Sequence, residues 1–290
     1  MQTTGQIRQP AVAGQFYPSA PAALAAEVED CLAAADSAPG QSRIRALIVP
    51  HAGYRYSGRT AGKTFGRLSR ADRQYRRALV LAPSHRVACS RLALGPYRAY
   101  RTPLGDLPVD LEAGGRLTQC DPLFVWREDA HRLEHSLEVQ LPFLQTRLPE
   151  SLLLPIVCGQ LDRESMARAA AVLVDQLWQP ETLWVISSDF THYGAQFGYL
   201  PFNRDIPRNL EALDMQAVER IAGLDAEGFL DFRERTGATI CGSVPIAILL
   251  YALRQVAPGL RGELADYATS GQATGDYCHC VSYVGMTFAA

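Results

Sequence analysis

Three of the six histidines stand in the same kind of place. Ala46-Leu47-Ile48-Val49-Pro50 runs into His51, Ala78-Leu79-Val80-Leu81-Ala82-Pro83-Ser84 runs into His85, and Leu183-Trp184-Val185-Ile186-Ser187-Ser188 runs into Asp189 and His192. Short apolar runs of this kind read as buried parallel strands, and open α/β sheets gather their ligands at the carboxyl ends of such strands. Neutral imidazole is the commonest metal ligand. Two histidines with one anionic ligand and open positions describe both catalytic zinc and nonhaem iron sites. The anionic ligand could be Asp189 or a thiolate. Cys241 stands just before a helix, where the positive helix end lowers a thiol's pKa, although a small buried hydrophobe is the competing reading. Convergence requires that the strands be neighbours, since adjacent parallel strands lie ~4.8 Å apart.

The elements that must position these groups alternate strand and helix. An N-terminal arm over residues 10–18 carries Phe16 and Tyr17, which need apolar partners. An alanine-rich helix follows to about Ala35, with Leu24, Val28, Cys31 and Leu32 on one face, and Pro39-Gly40 marks a turn. The loop Ala52 to Gly58 leads to a helix from about Ser57 to Leu68. Strand, helix and strand in this order predict a right-handed parallel crossover. Proline and glycine break residues 92–110 into hairpin and loop. The spacing of Leu137, Leu141 and Leu144 predicts a helix that begins near Glu134, His135 and Glu138. A strand from Leu152 to Val157 and a helix from Arg163 to Gln179 lead into the 183–188 strand. Residues 195–208 read as a loop over the site, and helices at about 208–222, 225–235 and 245–256 precede closing strands near 262–269 and 280–288. With no repeat and no linker, residues 1–290 are expected to form a single domain.

Composition narrows the function classes. A formal net charge of −2 gives no reason to expect nucleic acid as a partner, and the basic run from Arg67 to Arg77 reads as a solvated helix end and loop. No stretch reaches the ~20 apolar residues that cross a bilayer, and the start lacks signal-peptide character, so the expectation is a cytoplasmic chain with no membrane partner. Seven scattered cysteines with no CxxC pair suggest reduced thiols. Phosphate loops and Gly-x-Ser-x-Gly elbows are missing, which argues against nucleotide hydrolysis and serine esterase chemistry.

The remaining histidines read differently. In Cys278-His279-Cys280 the cysteines face one side of a strand and His279 the other, so they cannot share an ion and are expected to pack the core. His131 sits among Arg127, Glu128, Asp129 and Arg132 and is expected to be solvated. His135, beside Glu134, is placed to orient another group.

Taken together, Ala13-Gly14-Gln15-Phe16-Tyr17-Pro18, Pro50-His51-Ala52-Gly53-Tyr54, Pro83-Ser84-His85, Tyr100-Arg101-Thr102-Pro103-Leu104-Gly105-Asp106, Glu134-His135-Ser136-Leu137-Glu138, Ser187-Ser188-Asp189-Phe190-Thr191-His192 and Thr239-Ile240-Cys241-Gly242 resemble the Memo family. In prokaryotes this family is called AmmeMemoRadiSam system protein B. The resemblance spans nearly the whole chain. It implies the fold of the class III extradiol dioxygenases: an α/β domain with a central mixed, mostly parallel sheet and helices on both faces. It also implies a metal site of His51, His85 and Cys241, with Asp189 and His192 alongside. The cysteine stands where the ring-opening enzymes carry a glutamate, and a thiolate moves the site toward copper, zinc or redox-active iron.

The first expectation is therefore a redox or oxygenase-type protein holding iron, with copper or zinc as alternatives. In it His192, held by Asp189, serves as base, and Tyr54, His135 and Ser188 line the pocket. The second is a binding module for a peptide or small ligand, engaging Tyr54 and Arg55, or a subunit beside a radical-SAM partner. The third is a zinc hydrolase with His192 as base.

Overall fold

A computed structural model describes residues 5–35, 43–68 and 75–289. In chain order the elements are β1 (Ile7–Arg8), α1 (Pro21–Ala33), β2 (Ile44–Val49), α2 (Tyr54–Gly66), β3 (Arg77–Pro83), β4 (Leu92–Leu94), β5 (Ala99–Thr102) and β6 (Gly105–Pro108). Then come α3 (Leu111–Cys120), β7 (Phe124–Trp126), α4 (Glu128–Arg132), α5 (His135–Glu138), α6 (Leu141–Arg147), β8 (Leu152–Cys158), α7 (Arg163–Leu177) and β9 (Thr182–Ser187). The chain closes with β10 (His192–Gly194), α8 (Ile206–Ala222), α9 (Ala226–Thr236), α10 (Ser243–Val256), β11 (Glu263–Thr269), α11 (Ser270–Thr274) and β12 (His279–Ala289).

The strands that end in His51, His85 and Asp189 are neighbours. The main sheet has nine strands in the order β10-β12-β2-β9-β3-β8-β4-β7, with β11 also on β12. β2, β9, β3 and β8 run parallel at its centre. β12 and β4 flank them antiparallel, which makes the sheet mixed, as expected. β9 lies between β2 and β3, so the polar end of β9 is bracketed by the two histidine loops.

Both faces are covered, because successive side chains of a strand point to opposite faces. On one face Ala46, Ile48, Leu79, Leu81, Trp184 and Ile186 meet residues of α3, α7, α8, α9 and α10. On the other, Leu47, Val49, Ala78, Val80, Leu183 and Val185 meet α1, α2, α5 and α6. A smaller sheet, β1-β5-β6, holds the hairpin expected within 92–110, while β4 joins the main sheet. The N-terminal arm is ordered as expected, with Tyr17 buried against Tyr54.

Two elements depart from the sequence expectation, and two more are unassigned in it. The helix after His51 begins at Tyr54 rather than Ser57, because the arm extends it backwards: Tyr54 N–H donates to Phe16 O at 2.7 Å. The segment after Glu134 is two short helices, with Pro142 in the first turn of the second, where its missing N–H costs nothing. Residues 192–194 are a strand paired with β12. The third helix of the chain, α3, carries little apolar periodicity in Leu-Glu-Ala-Gly-Gly-Arg and is set by its Asp110 cap on Ala113 N–H. Of the basic run, Arg67 pairs with Glu263 at 3.5 Å and Arg77 is half-buried against Asp110 at 2.6 Å, so it is not uniformly solvated. Arg70, Arg73 and the turn at Pro39-Gly40 lie outside the described residues. Among the described residues no helix is long and apolar enough to cross a membrane.

Candidate metal centre

The strand order brings three donors to one point. The register aligns Val49 with Ser187 and Leu81 with Ile186, so His51 and His85 leave their strands on either side of β9's polar end. Donor atoms of His51, His85 and Cys241 all lie within 4.8 Å of one another. His51 Nε2 is 3.1 Å from Cys241 Sγ, and the two imidazole rings are 5.1 Å apart, edge to face. His51 is buried, Cys241 half-buried and the His85 ring 30% exposed, which leaves one open side.

The hydrogen bonds around the rings fix which nitrogen carries the proton. Ser187 Oγ donates to Ser136 O at 2.6 Å, which uses its only proton. It must then accept from His51 Nδ1, 2.8 Å away, so Nδ1 is the protonated atom and Nε2 presents a lone pair to Cys241. For His85 the partner is Glu134, whose Oε1 lies 2.9 Å from Nδ1 while Oε2 accepts the His85 backbone N–H at 2.6 Å. A carboxylate only accepts, so His85 Nδ1 is again the donor and Nε2 is free. An imidazole that ligates through one nitrogen and donates from the other to a fixed acceptor is the usual outer arrangement of a metal-bound histidine.

Electrostatics favour a neutral His51 ring. Burial, with positive potential from His85, His135 and His192, holds the His51 pKa well below its ordinary value. Burial alone would raise the Glu134 carboxyl, but the hydrogen bond and charge of His85 and the N–H groups of His85 and Ser136 bring it down to about 2. The expectation for the thiol is reversed. Burial, and then the charge of Asp189, push the Cys241 pKa up, outweighing the bonds it receives from Asp189 N–H and Gly242 N–H. An ion at this point would reverse that balance, since a coordinating thiol is deprotonated outright. Two imidazoles and a thiol suit a divalent or soft monovalent ion.

The loop that carries Cys241 is anchored to the end of β9. Ser188 Oγ accepts Gly242 N–H at 3.0 Å and donates to Asp189 O at 2.8 Å. The approach is so close that a Cβ on Gly242 would lie 2.3 Å from Ser188 Cβ, which only glycine avoids. Asp189 N–H points at Cys241 Sγ from 3.2 Å. The Asp189 side chain accepts the His51 backbone N–H at 2.7 Å, and burial raises its pKa against the charge of His192.

His192 is not held by Asp189 as expected. Its Nδ1 lies 2.9 Å from Phe190 O and 3.1 Å from Thr239 O, two acceptors that assign the proton to Nδ1 and leave a lone pair on Nε2. Thr239 also binds His192 N–H at 2.8 Å, so one short loop fixes both His192 and Cys241. Phe197 packs edge-on against the His192 ring at 5.1 Å.

The other expected residues are placed as follows. Tyr54 is buried beneath the site and donates to Val139 O at 2.7 Å, and Ser188 is enclosed among backbone atoms, so neither hydroxyl faces a pocket. His135 stands beside both candidate rings, 4.7 Å from His85 and 5.6 Å from His51, with Phe16 on it at 5.0 Å. The group that fixes the His85 ring is its neighbour Glu134. His131 is buried rather than solvated: it lies 2.7 Å from Tyr100 Oη and 2.8 Å from Ala93 O, and burial lowers its pKa to about 4. The charged neighbours of His131 face outward because α4 turns only His131 and Ala130 to the core. Cys280 packs the core, but Cys278 precedes the strand and is exposed.

Sequence reasoning missed Ser187, Glu134 as the His85 partner, Gln140 and Thr239. Gln140 Nε2 donates to Ser187 Oγ at 3.1 Å and to Pro50 O at 2.9 Å, tying α6 to the His51 loop. The one signal was the parity of Ser187, which shares the Leu183 and Val185 face and so points toward α5 and α6.

Comparison with known proteins places the chain in a family. A MEMO1 family protein of Methanosarcina barkeri is 34% identical over 284 residues, covering 97% of this chain and 99% of its own length. Protein MEMO1 of Xenopus laevis is 31% identical over 293 residues, covering 98% and 97%. The crystal structure of an uncharacterized protein of Escherichia coli K12 superposes with a TM-score of 0.50 at 13% identity, over 84% of this chain and 99% of that one, which shows a shared fold. The family model described as Memo-like protein matches residues 8–287, and the chain belongs to the Memo-like family.

Proposed function

We propose that the chain acts as one Memo-like domain that holds a single redox-active metal, iron or copper, between His51, His85 and Cys241. The observation that carries this reading is the pair of fixed tautomers: each Nδ1 proton is committed to an outer acceptor, His51 Nε2 faces the Cys241 thiol, and donor atoms of His51, His85 and Cys241 lie within 4.8 Å of one another. Bound there, such an ion supplies one-electron chemistry and open positions for a small ligand. The thiolate makes the donor set softer than two histidines and a carboxylate, which favours redox cycling over simple hydrolysis.

The chain's own groups complete the reading. His192, with Nδ1–H pinned to two carbonyls, offers Nε2 to take a proton from a ligand at the site. Phe16 on the His135 side and Phe197 on the His192 side limit water around the open edge.

X-ray absorption at the metal edge of protein purified without chelator tests the centre. The expected result is iron or copper with a sulfur scatterer and imidazoles. A native metal with only oxygen and nitrogen neighbours, or a native protein free of metal, overturns it. In a metal-loaded His192→Asn variant the sulfur-ligated spectrum persists while proton-dependent turnover falls.

A further inference from the structure

A second set of donors converges on the other nitrogen of His85. Donor atoms of His85, Glu134 and His135 lie within 4.8 Å of one another. Glu134 Oε1 is 2.9 Å from His85 Nδ1 and 3.4 Å from His135 Nδ1. His135 Nδ1 is buried and has no hydrogen-bond partner among the described residues. A nitrogen enclosed by protein without a partner is costly and calls for an explanation. The Phe16 ring explains the packing of His135 but gives its Nδ1 nothing to bind.

The spacing suits an ion. Two donors each ~2.1 Å from one cation are ~3.0 Å apart at a right angle and ~3.4 Å apart at a tetrahedral angle. The two distances from Glu134 Oε1, 2.9 and 3.4 Å, fall at those values. The Glu134 side chain is 1% exposed, whereas His85 and His135 are 30% and 15% exposed, so the carboxylate forms the floor and the rings the walls. A cleft of about 260 Å³, lined by Ser84, His85, Arg86 and Gln160 among others, opens against His85.

We propose that His85 Nδ1, Glu134 and His135 form a second divalent-cation position, distinct from the thiolate centre and sharing His85 with it through the opposite ring nitrogen. Two imidazoles and a carboxylate, without sulfur, select a harder ion such as Mn(II) or Fe(II). Binding at Nδ1 moves the single His85 ring proton to Nε2, so the ring stays neutral and the hydrogen bond to Glu134 is exchanged for two bonds to the cation. A neutral imidazole can ligate through only one nitrogen, so the two positions compete unless His85 becomes an imidazolate.

The test is Mn(II) titration followed by the electron paramagnetic resonance of the free ion, on the full chain. The His51→Ala/Cys241→Ser variant, in which the thiolate centre is dismantled, is expected to bind Mn(II). His135→Phe in that background, which keeps the packing on Phe16, is expected to lose it, and Glu134→Gln likewise. In the wild type, prior loading with Cu(I) weakens Mn(II) binding at least several-fold. Circular dichroism reports the fold of each variant, and His135→Phe decides if Glu134→Gln does not fold. Failure of the double variant to bind Mn(II), or binding undiminished by His135→Phe, overturns the proposal. Neither outcome touches the sulfur-ligated centre, which is read by its own spectrum.

Discussion

Replacing Ser187 by alanine removes one hydroxyl with no exposure to solvent and three hydrogen-bond partners. Gln140 Nε2 keeps its second partner, Pro50 O at 2.9 Å. His51 Nδ1 keeps none, and the ring is 2% exposed, so water does not take over. An unpaired buried donor costs about 1–3 kcal/mol. The ring escapes that cost only by moving its proton to Nε2, the atom 3.1 Å from Cys241 Sγ, where it blocks ligation. Either outcome weakens metal binding, and loss of such an outer partner lowers affinity by about 10–100-fold. Competition with a chelator of known affinity, using Zn(II) on wild type and Ser187→Ala, measures the affinity, and urea unfolding of the metal-free proteins measures the stability. A variant that loses stability yet binds Zn(II) with wild-type affinity refutes the tautomer argument, because the hydroxyl would then serve packing alone.

Two further predictions concern the groups around the centre. Glu138 is buried against Arg8 and also accepts Ala11 N–H at 2.8 Å, Val12 N–H at 3.0 Å and the Tyr17 hydroxyl at 2.5 Å. Glu138→Ala leaves the Arg8 charge buried and is expected to cost about 3–5 kcal/mol. It should also speed amide exchange selectively at Ala11 and Val12, and exchange there at the wild-type rate would show that the arm is held by its aromatic residues instead. Burial raises the Asp214 carboxyl to about 6, against hydrogen bonds from Ser282, Thr191 and Tyr267. Its folded pKa thus lies above the unfolded value of ~3.9, so its contribution is fully present below that value and is lost as pH rises through the folded pKa. Relative to Asp214→Asn, the wild type should lose stability between about pH 4 and pH 7, and a difference that stays constant over that window contradicts the assignment.

The legible part of this protein was the part written in short range. Apolar runs ending in His51, His85 and Asp189 declared strands with polar ends, and the strands are there. What brings them together is that β9, over a hundred residues after β2, inserts between β2 and β3, and no local pattern encodes that order. The family motifs supplied Cys241, which periodicity alone assigns to the core. The partners of the two histidines stayed hidden for a physical reason. Glu134 reaches His85 across 49 residues of chain, and Ser187 reads as one more residue of a buried strand until its neighbours Ser136 and Gln140 are in place. His131 was misjudged because charged neighbours in sequence say little about which side of a single helical turn faces the core. The effect of the helix end on Cys241 was misjudged because burial outweighs it.

The central claim is that Cys241 ligates a metal together with His51 and His85, and anaerobic titration with Co(II) tests it most directly. The wild type should develop a near-ultraviolet thiolate-to-cobalt charge-transfer band that saturates at a stoichiometric amount of metal, is lost in Cys241→Ser and is much weakened in His51→Ala. A wild-type spectrum without that band, or an unchanged band in Cys241→Ser, would contradict the account.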